Sequence, residues 1–576
     1  MKALRPLSRS LDVRFPNGGL ALVRALTLAV FLVPVAAGLA GTLLPAFGYL
    51  PAIGGHALSL APWSMLWHEP GIATSIRLSA QGGLLATLLS LALAAAFASS
   101  MSDHPMYRRA ARLVSPLLAT PHVAIAIGLA FLVAPSGWLV RLVSPWLTGW
   151  DRPPGELVTV RDPFGLSMAL GLVLKETPYL LLMIGAALRQ VPQAALRRVG
   201  AALGYRPTTT WFKLVFPLVY AQIRLPVYAV LAFSLSNVEV GLILAPGQPP
   251  PLAIVAARWF ADYDLSRYFP AAAAAVLQGV LVALALLAWR LGEAIVAAVG
   301  KRWCDRGARA GAIVLVAAAC AAASAACLGV GALSLVGMGA WSLAQSWRFP
   351  EVVPAAWTLA TWQLQGPRAA EAVLTTLTLA LASALVATML VIACLELETR
   401  RSRQPARRTL MLVYVPLLVP QIAFLYGFQV LLVCLGWDGR WLAVLWAHLV
   451  FVLPYAFLSL ADPWRALDPR YALSAASLGA SPWRVLWRVR LPMLLKPVLL
   501  AWAIGCAVSV GLYLPTLFAG AGRIATLTTD AVTLSSGADR RIMGVFTILQ
   551  AAIPLLAYIT ALAVPAALYA RRKGMA

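Results

Sequence analysis

Few residues in this chain are placed to do chemistry, and those few lie inside or beside apolar segments. Glu239 stands in VLAFSLSNVEVGLILAP with Ser234, Ser236 and Asn237; Lys175 and Glu176 are adjacent in another apolar run, and His448 is in a third. A carboxylate in such a run costs a few kcal/mol to insert and normally faces protein or a water-filled cavity. Glu239 therefore has two readings: a path residue that attracts a cationic solute, or a group near the outer end of its span, snorkelling or paired to an arginine. Neighbours on a helix point about 100° apart, so Lys175 and Glu176 cannot both face one partner and are expected to pair with other helices. His448 is expected to be a packed core histidine. The cysteines (Cys304, Cys320, Cys327, Cys394, Cys434, Cys506) have no CxxC spacing and the five histidines are scattered, so neither a disulfide framework nor a metal site is expected. One Gly-Lys pair, Gly300-Lys301, is followed by Arg302 where a phosphate-binding loop needs Ser or Thr. No nucleophile–base constellation is present. The chain is not expected to be an enzyme, nor to bind a cofactor.

The most informative stretch is polar and basic: LSAASLGASPWRVLWRVRLP, running from Leu473 to Pro492 between two long apolar segments. Gly479 follows an Ala/Ser/Leu run and can adopt the left-handed conformation that ends a helix. Ser481 and Pro482 then restart one, as N-cap and first helical residue, and Pro492 is expected to stop or kink it. The same knuckle occurs upstream as RVGAALGYRPTTTWFKLVFP. Gly204 and Gly479, Pro207 and Pro482, and Pro217 and Pro492 are each 275 residues apart, and Leu214 and Val489 stand three before the last proline in each copy. The chain is a tandem duplication, and this loop is what both halves kept.

Small residues, Gly, nine residues, then aliphatic-x-Leu-Pro resembles the EAA loop of the permease subunits of binding-protein-dependent ABC importers. The resemblance implies the type I, MetI-like permease fold. It implies coupling helices at about 207–215 and 482–490, within loops at about 192–217 and 467–492, docking into a separate ATPase dimer that uses the ATP. It also implies an extracytoplasmic solute-binding protein as partner. The family's Glu-Ala-Ala is replaced by Arg198-Val199-Gly200 and Leu473-Ser474-Ala475. The stretch from Tyr513 to Arg541 resembles thiamine-transport permeases, and the whole chain resembles fused permeases for thiamine or iron(III). In this family the fifth helix of each half flanks the axis, so Ser234, Asn237 and Glu239, with Ser509 and Tyr513, are the implied path residues.

These loops need a membrane to stand on. Of 576 residues, 61% are hydrophobic and 12% charged, with a mean hydropathy of +0.82. Several apolar runs exceed the roughly 20 residues that cross a bilayer as helix. The net charge of +25 lies in short loops, as the positive-inside rule requires, so no nucleic acid is expected. Twelve spans are expected, at about 25–47, 75–99, 113–134, 164–188, 222–246, 269–297, 310–338, 371–395, 409–436, 441–461, 497–520 and 543–570. The first is read as an anchor rather than a signal peptide. Basic residues Lys2, Arg5, Arg9, Arg14, Arg108, Arg109, Arg112 and Arg571-Arg572-Lys573 mark the cytoplasmic side, which then holds both termini and both knuckles. Balanced outside loops are expected around Arg258, Asp262, Asp264 and Arg267, and around Arg348, Glu351 and Arg368. In a third, Thr526, Thr528, Thr529 and Asp530 either gate the path, receive the binding protein or form a solvated turn.

The expected organisation is all-α and multi-pass in the bacterial inner membrane. It has a first lobe at 1–297, a cytoplasmic linker at 298–310 and a second lobe at 311–576, two parallel six-helix repeats. An ion-coupled secondary transporter with two six-helix halves is the alternative. It has no use for a repeated knuckle and needs more ionisable groups in its spans.

Overall fold

The computed structural model describes residues 18–101, 117–307, 309, 313–401, 407–537 and 539–570. The basic residues at 2–14, 108–112 and 571–573 lie outside them. Each expected span coincides with a helix: α1 Gly18–Ala46, α2 Ile72–Met101, α3 His122–Val133, α4 Leu166–Leu188, α5 Phe216–Ser236, α6 Tyr268–Asp305, α7 Ile313–Leu343, α8 Ala360–Arg400, α9 Ile422–Cys434, α10 Trp441–Ala466, α11 Leu495–Gly511 and α12 Arg540–Leu568. Among the described residues ten helical segments are long and apolar enough to cross a membrane, and α11 makes an eleventh with the bent segment before it. The remaining one, α9, is a short apolar helix set off from Arg407–Leu418 by a break before Pro420.

The six helices of each half do not pack only among themselves. α1 lies along α9, and α7 lies against α2, α3 and α4, so each half's first helix is placed on the other half. Small residues permit it. A Cβ on Gly427 would stand 2.0 Å from the Gly38 carbonyl oxygen, and one on Gly41 2.8 Å from the Gly427 Cα. Gly128, which matches Gly427 in the first half, meets Ser334 of α7 at 2.9 Å in the same way. Lipid tails are as apolar as leucine, so close backbone approach decides such pairings. Gly427→Val forces α1 off α9 and is expected to lower stability by about 1–3 kcal/mol, read as a lower melting midpoint of the purified chain; an unchanged midpoint refutes this packing.

Several boundaries differ from the sequence expectation. α6 continues to Asp305, so most of the 298–310 linker is its last two turns. α8 begins at Ala360, placing Arg368 on a helix instead of in a loop. Two stretches read as outside loops fold back as short helices, Leu252–Phe260 and Leu527–Leu534. Their first N–H groups are capped alike, Leu252 by Ser79 Oγ and Leu527 by Thr376 Oγ1, both at 2.9 Å. Thr528 is fully buried, and Asp530 is nearly so, 3.6 Å from Arg368; burial raises the Asp530 carboxyl above its usual range while that arginine opposes the shift. This is not a solvated turn. A two-stranded antiparallel pair, Ala344–Ser346 with Ala356–Trp357, lies between α7 and α8.

Candidate coupling surface and solute path

Both knuckles have the same backbone. The helices Gln193–Ala202 and Pro469–Ser477 end at Gly204 (φ 74°) and Gly479 (φ 82°). Behind each glycine the chain folds back on itself: Tyr205 N donates to Gly200 O at 2.9 Å, and Ala480 N to Ala475 O at 3.0 Å, the Schellman closure that needs a left-handed residue. Pro207 and Pro482 open the next turns, Pro207–Thr210 and Pro482–Val485. Ser481 Oγ accepts from Arg484 N at 3.4 Å, whereas Arg206 supplies no side-chain cap.

Of the prolines that close the two motifs, Pro492 marks a bend as expected and Pro217 does not. Trp211–Val215 and Leu486–Arg490 form wide π-helical turns, with Phe216 N bonded to Trp211 O and Leu491 N to Leu486 O. Widening the turn makes room for a proline ring that would clash with a normal one. Pro217 therefore does not stop the helix, which runs on as α5. After Pro492 the chain bends by 77° between Pro482–Met493 and α11. Leu214 and Val489 are half-buried in these turns, while Gly204, Pro207, Gly479 and Ser481 are exposed.

Each knuckle is anchored by a different chemistry. In the first, Lys213 Nζ donates to Trp303 O at 3.1 Å and lies 4.6 Å from the ring centroids of both Tyr205 and Trp303. The second hangs on Glu396, on α8: its buried carboxylate accepts from Arg400 Nε at 2.7 Å and pairs with Arg490 of the wide turn. Below that anchor the surface is open, with Leu478 87%, Trp487 65% and Trp483 51% exposed beside the exposed Arg484 and Arg488.

The implied path residues come together only in part. α5 stops at Ser236, and Asn237 Oδ1 accepts from Val240 N at 2.7 Å, starting a separate short helix, Glu239–Leu244. The fifth span thus breaks at the end away from the knuckle instead of running to 246. α11 breaks at the matching place, before Leu514–Ala519. Glu239 is buried and accepts from the Tyr513 backbone N–H at 3.2 Å, a contact between halves; among the described residues no arginine or lysine is paired with it. Ser234 is buried with its hydroxyl unpartnered. Ser509 is buried and bonds His448 Nδ1 at 2.7 Å, and His448 Nε2 meets Thr516 at 2.9 Å.

No family model matches the chain. It is 31% identical over 506 residues, 87% of its own length and 90% of the relative's, to the inner membrane ABC transporter permease protein YnjC of Escherichia coli (strain K12). The chain belongs to the inner membrane ABC transporter permeases. It is also 28% identical over 478 residues, 78% of this chain and 81% of the relative, to the thiamine transport system permease protein ThiP of Salmonella typhimurium. A shorter match, 36% over 152 residues or 23% of this chain and 56% of the relative, is to the molybdenum transport system permease protein ModB of Mycobacterium tuberculosis. These relatives favour the permease reading over the secondary transporter.

Further groups of the permease escaped the sequence reading. Gln278 Nε2 of α6 donates to Leu235 O at 3.1 Å, satisfying a carbonyl freed by the break in α5. In the second half Gln550 of α12 reaches Thr528, which donates to Val510 O, the carbonyl 275 positions on. Lys175 and Glu176 do serve one element, from its two sides. Lys175 Nζ takes the carbonyls of Leu117, Leu118 and Thr120, at 3.0, 2.7 and 2.5 Å, which Pro121 leaves without helix donors. Glu176 accepts from His122 Nε2 at 3.1 Å, just past that break. The repeated Pro-Tyr pairs, Pro178-Tyr179 and Pro454-Tyr455, were the available signal that α4 and α10 correspond.

Proposed function

We propose that the permease forms the solute path of an importer, and that a separate ATPase dimer drives it through the two knuckles. The observation that carries this reading is the backbone at Gly204 and Gly479: two left-handed glycines, two proline-opened turns and two π turns, 275 residues apart. A pair of elements that repeat the same turns suits a two-fold motor. The exposed Leu478, Trp483 and Trp487 offer one of them an apolar seat. In this reading the knuckles and both termini face the cytoplasm, 1–297 and 311–576 are the two lobes, and an extracytoplasmic binding protein delivers solute to the opposite face. The chain itself supplies no ATP-hydrolysing site, so ATP is consumed on the partner.

The solute is a small cation of the thiamine type in preference to iron(III). Glu239 supports this, as a buried carboxylate at the contact between halves without a paired cation among the described residues. The test is reconstitution in proteoliposomes with the cognate ATPase and binding protein, following radiolabelled thiamine. ATP-dependent uptake is expected, and Glu239→Gln is expected to raise the half-saturating concentration or cut the rate several-fold. ATP-independent uptake sinks the coupling reading; unchanged kinetics in the Gln variant reduce Glu239 to scaffold.

A further inference from the structure

α6 carries no charged side chain from Tyr268 to Trp289, a run of about 22 residues that at 1.5 Å each spans about 33 Å, the thickness of a hydrocarbon core. Arg290 is the first charge after it. The same helix goes on to Trp303, whose carbonyl accepts from Lys213 of the first knuckle. Arg290 therefore stands where α6 leaves the membrane on the knuckle side. α5 rises from that knuckle beside α6 and brings Tyr220 and Arg224 to the same level. Trp289 Nε1 donates to the Tyr220 hydroxyl at 3.0 Å, an aromatic pair at the depth where membrane proteins collect tryptophan and tyrosine.

One carboxylate serves both arginines. Glu293, on the turn after Arg290 and 8% exposed, uses Oε1 to accept from the Tyr220 hydroxyl at 2.6 Å. Its Oε2 is shared, with Arg290 Nη1 at 2.6 Å and Arg224 Nε at 3.2 Å. Both oxygens are thereby occupied, and two guanidiniums on one carboxylate leave a surplus positive charge. Among the described residues no other carboxylate is paired with either arginine. Each guanidinium has more N–H donors than these contacts use, and Arg290 is 57% and Arg224 39% exposed. Their surroundings are apolar: Leu225, Leu287 and Leu291 are exposed beside them, a surface that suits lipid. Arginines displayed among leucines at this depth turn their heads toward the phosphates. The matching positions of α11, Leu495 and Leu499, are apolar, so the shared fold does not require this group.

We propose that Arg224 and Arg290, held by Glu293 and flanked by Tyr220 and Trp289, bind the phosphate of an anionic phospholipid in the leaflet on the knuckle side. Phosphate oxygens accept guanidinium N–H groups in pairs, and the lipid's negative charge balances the surplus. A zwitterionic lipid carries the same phosphate with its own cation attached, so the site selects by net charge. The bound lipid braces α5 against α6 between the first knuckle and the bundle. Where the knuckles face the cytoplasm, as the proposed function has it, this is the cytoplasmic leaflet.

The test needs neither the solute nor the ATPase. The full chain is purified in detergent and titrated with dioleoyl phosphatidylglycerol or dioleoyl phosphatidylcholine, and native mass spectrometry reads the lipid-bound fraction. The parent is expected to prefer phosphatidylglycerol about tenfold, equivalent to about 1.4 kcal/mol. Arg224→Gln with Arg290→Gln should abolish that preference. Lys301→Gln with Arg302→Gln, at two exposed positions further along α6, should leave it intact. A parent without preference, a double variant that keeps it, or an equal loss at 301 and 302 overturns the site. Inorganic phosphate is expected not to displace the lipid; displacement would make the pair a general anion site and end the lipid proposal. If the double variant loses its monodisperse elution, Arg290→Gln alone carries the readout, with a roughly threefold loss for half the free energy. Labelling of Arg302→Cys from the outer side of intact cells, with the lipid preference retained, would instead count against the importer reading and leave the lipid site standing.

Discussion

Glu396→Gln is expected to destabilise the permease by about 3–5 kcal/mol, the usual consequence of removing one member of a buried ion group. Its carboxylate is 2% exposed and meets two guanidiniums, Arg400 at 11% and Arg490 at 15%. One Arg400 nitrogen, Nη2, already lacks a partner, and Arg400 also stacks on Trp483 at 4.8 Å. A neutral amide leaves two half-buried cations facing each other beside the second knuckle. The melting midpoint of the purified chain measures the loss. The apolar triple variant Glu396→Leu, Arg400→Met, Arg490→Met should recover most of it, because desolvation of the charges disappears with them. A single variant that melts within about 0.5 kcal/mol of the parent shows that the group does not anchor the knuckle.

Gly479→Val should leave the permease folded and uncouple it. A Cβ at this position meets nothing within 4 Å, so the penalty is purely conformational: φ is 82°. β-branched residues avoid that region, at a cost of about 1–3 kcal/mol, which is relieved if the knuckle shifts. Since the knuckle is proposed to transmit the motor's stroke, ATP-driven uptake is expected to fall about tenfold or more with hydrolysis by the partner continuing. Gly479→Asn, which tolerates the left-handed region, should retain most of the uptake. Equal uptake by the Val and parent chains would remove the rigid-knuckle account. The same left-handed strain applies at Gly204 (φ 74°), where Arg309 also lies 3.5 Å from the position of a Cβ.

The two variants probe different layers of the same element. Gly479 shapes the knuckle; Glu396 ties it to α8, so that displacement at the surface is carried into the bundle. The first copy reaches the same end with Lys213 clasped by Tyr205 and Trp303 of α6. The duplication kept the backbone and let the anchors diverge.

By itself the sequence determined the local elements. Gly204, Pro207, Gly479 and Pro482 state the knuckle because glycine's freedom and proline's restriction act on their own backbone and need no neighbour. Apolar runs of bilayer length state the spans for the same reason, and equal spacing states the repeat. The breaks were less legible. Asn237, which caps the next helix, and Gly511 with Pro515 were local signals that hydropathy hid, but the partners of the freed carbonyls, Gln278 for Leu235 and Thr528 (held by Gln550) for Val510, lie on other helices. Only the tertiary structure decided that α1 lies on the second half and α7 on the first, that Lys175 and Glu176 serve the two sides of one break, and that Ser509 belongs to His448. In a membrane every span is apolar, so pattern carries little information about partners. What selects them is the fit of surfaces such as Gly38 and Gly41 against Gly427 and the satisfaction of each buried polar group, and both exist only once the helices meet.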